Sequence, residues 1–143
     1  MNNLISVFRI NRVIFIYFIL MMNWSYSQSQ NTTDSSAIAL VDRQIEAYNN
    51  RDIDAFMSCY SKKIKIREFN GKIVFRGQKK MRILYSQMFN ELNNLHCEIQ
   101  QRIVKNGIII DHEFIRGFPN KKEIHAVAIY TVENGKIIEV IFI

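Results

Sequence analysis

The segment GIIIDHEFIRGFPN, Gly107 to Asn120, sets an aspartate, a histidine and a glutamate side by side in an otherwise apolar run. Strand alternation sends Ile108, Ile110, His112 and Phe114 to one face and Ile109, Asp111, Glu113 and Ile115 to the other. The three polar residues therefore cannot chelate one metal together. His112 reads in two ways, as a core imidazole satisfied by a neighbour or as a polar group looking into a cavity. In KIKIREF, Ile64, Ile66 and Glu68 share a face while Lys65, Arg67 and Phe69 share the other, so a carboxylate continues an apolar row. Burial would raise the pKa of Glu68 and make it a competent proton acceptor. The competing reading is a solvated strand-end carboxylate beside the Asn70-Gly71 turn, paired with a nearby Lys or Arg.

Other chemistries fit less well. His96, His112 and His125 with a carboxylate would suit zinc or iron, but their strand parities disagree, since His96 shares a polar face with Glu98, Gln100 and Arg102. No metal and no cofactor is expected. Cys59 lies on a helix face with no assigned histidine partner, which argues against a nucleophile. Cys59 and Cys97 both fall in apolar rows and read as buried free thiols, with a bridge open to them if their elements pack together.

The elements that position these residues follow from periodicity. Ser35 or Ser36 can cap a helix carrying Ile38, Val41, Ile45 and Tyr48 at helical spacing, ended by Asn49-Asn50. Asp52 caps a shorter helix, Ile53 to Tyr60, and a third runs from about Gln78 to Leu92 with Met81, Leu84, Tyr85, Met88 and Leu92 on one face. Ile64 to Phe69 and Lys72 to Arg76 form a hairpin about Asn70-Gly71. Leu95 to Val104, Ile108 to Gly117, Glu123 to Val132 and Lys136 to Ile143 are strands of a meander separated by turn residues. Amphipathic helices followed by such a meander bury its apolar face and give an α+β domain, and a curved sheet closed by helices encloses a pocket that is the default ligand site.

The chain has 143 residues, 48% hydrophobic and 22% charged, enough for one domain with a sizeable core. Residues 1–27 read as a signal peptide: Arg9 and Arg12 precede the apolar run Val13 to Met22, and small residues follow. Ten apolar residues fall short of the roughly 20 that a spanning helix needs, so cleavage near Ser27 and an exported, periplasmic or secreted domain are expected, with an uncleaved anchor as the alternative. No stable membrane anchor remains after removal. Residues 28–35 read as a flexible linker and 36–143 as the domain. Removing Arg9 and Arg12 from 19 basic residues leaves 17 against 13 acidic, a charge of +4. The groups Lys62-Lys63, Lys79-Lys80-Met81-Arg82 and Lys121-Lys122 sit beside turns or helix ends and read as solvated surface, so no nucleic-acid partner is expected.

The element order, together with AYNNRDIDAFMSCYSKK, FRGQKKMRILY and YTVENGKIIEVIFI, resembles the nuclear transport factor 2-like superfamily, in its ketosteroid isomerase and polyketide cyclase (SnoaL-like) branch. The resemblance spans residues 36 to 143 and implies a curved, mostly antiparallel sheet packed on three N-terminal helices as a cone with an internal pocket. It puts Glu68 at the position of the carboxylate that shuttles the proton in ketosteroid isomerases. The tyrosine that holds the oxyanion there falls on Gln44 and the second acid at about Ala128, so that oxyanion hole is not reproduced. It also implies that the row of Ile110, His112 and Phe114 faces the pocket, making Glu68 and His112 an acid/base pair.

Ligand contacts are expected from Gln44, Tyr48, Phe114 and Tyr130. Tyr130 shares a parity with Ala126 and Ala128, which would leave room for a ligand, but the opposite parity is equally apolar. Three classes of function stand: a binding module for a small apolar or amphipathic molecule, an isomerase-, cyclase- or dehydratase-type enzyme using Glu68, and a protein-interaction domain. Strands apolar on both faces favour a homodimer through the sheet in each case.

Overall fold

The computed structural model describes residues 32–120 and 122–143. The expected signal peptide and residues 28–31 of the expected linker lie outside the described residues. Asp34–Ile143 forms a compact unit. Helix α1 covers 32–50, of which 34–50 belongs to this unit, so Ser35 and Ser36 are helical where a cap and a flexible tail were expected. A long-range tie accompanies the early start: the Asp34 carboxylate accepts the Gly107 amide at 2.9 Å. The inward stripe is Ala37, Leu40, Val41, Gln44 and Tyr48, with Ile38 and Ile45 half-buried on its flanks.

Helix α2, Ile53–Ser58, is capped as its sequence predicts, with the Asp52 side chain accepting the amides of Asp54 and Ala55 at 3.1 and 2.9 Å. It stops short of Tyr60, which instead opens β1, Tyr60–Glu68, where its register partner is Ile137. Strand β2, Ile73–Arg76, returns beside β1, and Gly77 leads into α3, Gln78–Glu91. Strands β3, His96–Lys105, β4, Ile108–Arg116, β5, Ile124–Glu133, and β6, Lys136–Phe142, complete one six-stranded sheet. Its order is β2-β1-β6-β5-β4-β3, antiparallel throughout except where β1 runs parallel to β6.

This is the expected α+β cone. The helices meet the sheet through an aromatic cluster about Phe56, whose ring lies 4.6 to 6.1 Å from those of Tyr48, Tyr60, Tyr85 and Phe89. Such tilted and edge-on contacts add to the burial of each ring. Among the described residues no helix is long and apolar enough to cross a membrane.

An irregularity in β3 decides which polar side chains enter the core. The register with β4 shifts between Ile99 and Gln101, so two residues oppose one and the alternation changes phase. Before the shift Cys97 and Ile99 face inward and His96 and Glu98 outward; after it Arg102 and Val104 take the inward positions. The expected common face of His96, Glu98, Gln100 and Arg102 is thus broken, and Arg102 is delivered to the side where β4 carries two carboxylates.

Candidate active site

Strand β4 places Ile109, Asp111 and Glu113 on the buried side. Ile110, His112 and Phe114 take the outer face, so the row expected to line the pocket is the wrong one of the two. Neighbouring β5 agrees in phase. Ala126, Ala128 and Tyr130 lie on the inner side opposite Glu113, Asp111 and Ile109, which settles the facing that the sequence left open.

Both inner carboxylates are removed from water, Asp111 being 0% and Glu113 4% exposed. A buried carboxylate needs a partner or loses its charge. Asp111 has one: Arg102 donates Nε to Oδ1 at 2.7 Å and Nη2 to Oδ2 at 2.8 Å, a two-pronged pair. The third nitrogen of the guanidinium reaches Asp42 Oδ1 at 2.5 Å, tying α1 to the sheet.

Among the described residues Glu113 has no such cation. The Tyr130 hydroxyl donates to its Oε1. Burial pushes its pKa up to about 7, against the opposing effect of the tyrosine hydrogen bond; the charge of Asp111 adds to the rise and that of Arg102 subtracts. One carboxylate is therefore held in a two-pronged pair with Arg102, while its neighbour is poised to take up or release a proton near neutrality.

Glu113 and Tyr130 open on a cavity of about 170 Å³ between the sheet and helices α1 and α3. Its walls are mostly apolar, including Ile45, Met88, Ile115, Phe118 and Phe142. Gly117 shapes the exit of β4 just before Phe118: its φ is +101°, and an added Cβ would lie 2.4 Å from the Asn94 carbonyl oxygen. Tyr48, Tyr60 and Tyr85 contribute phenols whose pKa burial raises, so each is protonated at neutral pH and able to donate. Gln44 also lines the cavity, and its Oε1 is buried without a hydrogen-bond partner among the described residues. Cys97 faces the cavity as a free thiol with its pKa raised by burial, and Cys59 is likewise free and buried. Among the described residues no group of three or more His, Cys, Asp or Glu side chains is placed to hold a metal.

Of the residues selected from the sequence, Gln44, Tyr48 and Tyr130 line this cavity. Glu68, Phe114 and His112 do not. Glu68 ends β1 with its side chain 44% exposed, 3.3 Å from Lys72 Nζ and 3.3 Å from Asn70 Nδ2. His112 lies on the outer face with Nε2 3.4 Å from His125 Nδ1, and the Phe114 ring stands edge-on to His125 at 4.6 Å. Ile64 and Ile66 are buried, but Glu68 ends the strand beyond a shift in the pairing of β1 with β2 between Ile66 and Arg67, and its side chain stays at the exposed edge. Glu113 lines the cavity although the sequence reading does not single it out. Its signal was present in the same stretch: two carboxylates two positions apart on one face, opposite the small residues Ala126 and Ala128.

The family described as the SnoaL-like domain matches residues 41–140. An uncharacterised cystatin-fold protein from Novosphingobium aromaticivorans superposes with a TM-score of 0.68 at 23% identity, covering 75% of this chain and 97% of that one. An LEH-like epoxide hydrolase from M. tuberculosis gives 0.66 at 14% identity, over 76% and 82%. A nuclear transport factor 2-like protein of unknown function from Cytophaga hutchinsonii gives 0.62 at 16%, over 75% and 88%. At these identities the likeness is one of fold. A search of curated proteins finds no match.

Proposed function

The chain belongs to the SnoaL-like domain family, and from that premise we propose that it binds a small molecule in the cavity beneath Glu113 and exchanges a proton with it. The observation that carries this reading is Glu113 itself, a carboxyl held near pKa 7 at a cavity wall and positioned by Tyr130. A general acid or base works best when its pKa lies near the operating pH. The structural neighbours include an epoxide hydrolase, and a cavity with one tuned carboxyl is compatible with acid/base chemistry of that general kind.

The cavity bounds the ligand. About 170 Å³ is close to the roughly 150 Å³ of an engineered apolar cavity that holds benzene, so a molecule of one ring, or a short branched chain, fits. Its body is apolar to match Ile45, Met88 and Ile115. Its polar end carries a donor for Gln44 Oε1 and a group that can exchange a proton with Glu113.

The reading is tested by screening one-ring alcohols, ketones and epoxides for saturation transfer from the protein, with Met88→Trp as a cavity-filling control. Binding by the wild type that is lost in the folded variant supports it. Equal signals from both place any binding outside the cavity and defeat it.

A further inference from the structure

We infer that the concavity formed by Lys62, Lys63, Lys65 and Arg76 beside Gly77 is a binding site for phosphate groups, sharing no lining residue with the cavity that holds Glu113. Four cationic side chains and one glycine line a hollow of about 360 Å³, and no carboxylate is among them. None of the four makes an ion pair among the described residues.

The backbone forces the charges together. Lys65 and Arg76 are direct cross-strand partners on β1 and β2, and like charges at that position destabilise a sheet. Lys62 and Lys63 lie in the stretch of β1 where its pairing with β6 is interrupted, between Tyr60 and Lys65. An interruption of that kind re-aims side chains, and here two consecutive lysines border one hollow. The nearby acids are otherwise engaged: Glu139, opposite Lys65 on β6, bonds Arg67 at 3.3 Å, and Asp54 bonds Arg82 at 2.6 Å.

Lys62 and Lys63 also border a second, wider cleft of about 630 Å³ that continues to Gln78, Lys136 and the ion pair of Arg82 with Asp54. The positive surface therefore extends from β2 to Lys136 at the start of β6. An anion with several oxygens would neutralise the repulsion and accept hydrogen bonds from both lysine and arginine. Phosphate, free or as a lipid headgroup, has that chemistry. The exposed Ile73 and Val74 on β2, next to Arg76, make the headgroup a source worth a separate arm.

The test compares the full-length chain with Lys65→Gln/Arg76→Gln, and with Lys105→Gln/Lys122→Gln as a control of equal charge loss. Inorganic phosphate and pyrophosphate are titrated calorimetrically against chloride of matched ionic strength. Flotation is run with vesicles of phosphatidylglycerol and of phosphatidylcholine. Wild type and control should bind within twofold of each other, and Lys65→Gln/Arg76→Gln at least tenfold more weakly. Binding of the soluble anions identifies a free phosphate ligand, and retention by phosphatidylglycerol vesicles alone identifies a headgroup; either supports the site. Equal weakening in both variants would reduce the effect to net charge and overturn it, as would a wild type that binds neither anion and does not distinguish the vesicles.

Discussion

The Tyr130 hydroxyl donates to Glu113 Oε1 although Tyr130 lies four residues beyond Ala126, the cross-strand partner of Glu113. Between them on the inner face is Ala128, whose small side chain leaves the phenol room to lie along the strand. That contact fixes the carboxyl at the cavity wall, while Arg102 commits Asp111, two positions away, to an ion pair. Two carboxylates of one strand face are thereby separated in role by their partners, a division that acid/base sites exploit.

Glu113 makes stability depend on pH. Its folded pKa is raised from an ordinary 4.5 to about 7, so the folded state holds the proton more tightly than the unfolded one. Stability is full below about pH 4.5 and falls as pH rises to about 7, by at most about 3 kcal/mol. Urea unfolding at pH 5 and pH 8 should show this decline in the wild type and its near loss in Glu113→Gln. An unchanged slope in the variant would assign the dependence to another group.

Arg102→Leu should be costly. It leaves the Asp111 carboxyl buried without its partner, and breaking a buried pair from one side costs about 3–5 kcal/mol. Arg102→Leu/Asp111→Leu should recover much of that loss. A double variant no better than the single one would show that Asp111 is not the source of the penalty.

Gln44→Leu should separate stability from binding. The side chain buries an acceptor that no described residue satisfies, and removing such a group relieves about 1–3 kcal/mol. The midpoint of thermal unfolding should rise while affinity for a cavity ligand falls. A rise in both would mean that Gln44 does not contact the ligand.

Glu68→Gln and His112→Ala should leave cavity-ligand affinity within twofold of the wild type, since one side chain pairs with Lys72 and the other with His125 outside the cavity. Fluorescence or calorimetric titration of a ligand from the screen decides this. A tenfold loss in either variant would return that residue to the site.

The sequence made the fold legible because its signals are local and repeated. Asp52 caps a helix, Asn-Gly pairs mark hairpins, and the inward stripe of α1 recurs at helical spacing. The strand phases of Asp111, Glu113 and His112 were equally readable. What alternation cannot supply is the choice of inner face when both rows are apolar, as in β4, where the resemblance points to the histidine row and the structure buries the carboxylate row. Nor could it register the slip between Ile99 and Gln101, which turns Arg102 inward. The tuned carboxyl depends on that slip, because Arg102 secures Asp111 and leaves Glu113 with a tyrosine. The basic hollow was hidden for a related reason: Lys62, Lys63, Lys65 and Arg76 belong to two strands and meet only once these pair.

The most direct measurement is a carboxyl ¹³C NMR titration of Glu113 in the wild type and in Tyr130→Phe. The wild-type midpoint should fall near 7 and should move higher in Tyr130→Phe, because the tyrosine hydrogen bond holds the pKa down. A wild-type midpoint in the ordinary range near 4.5 would contradict the account, leaving a cavity without a tuned acid and removing the basis for proton exchange at Glu113.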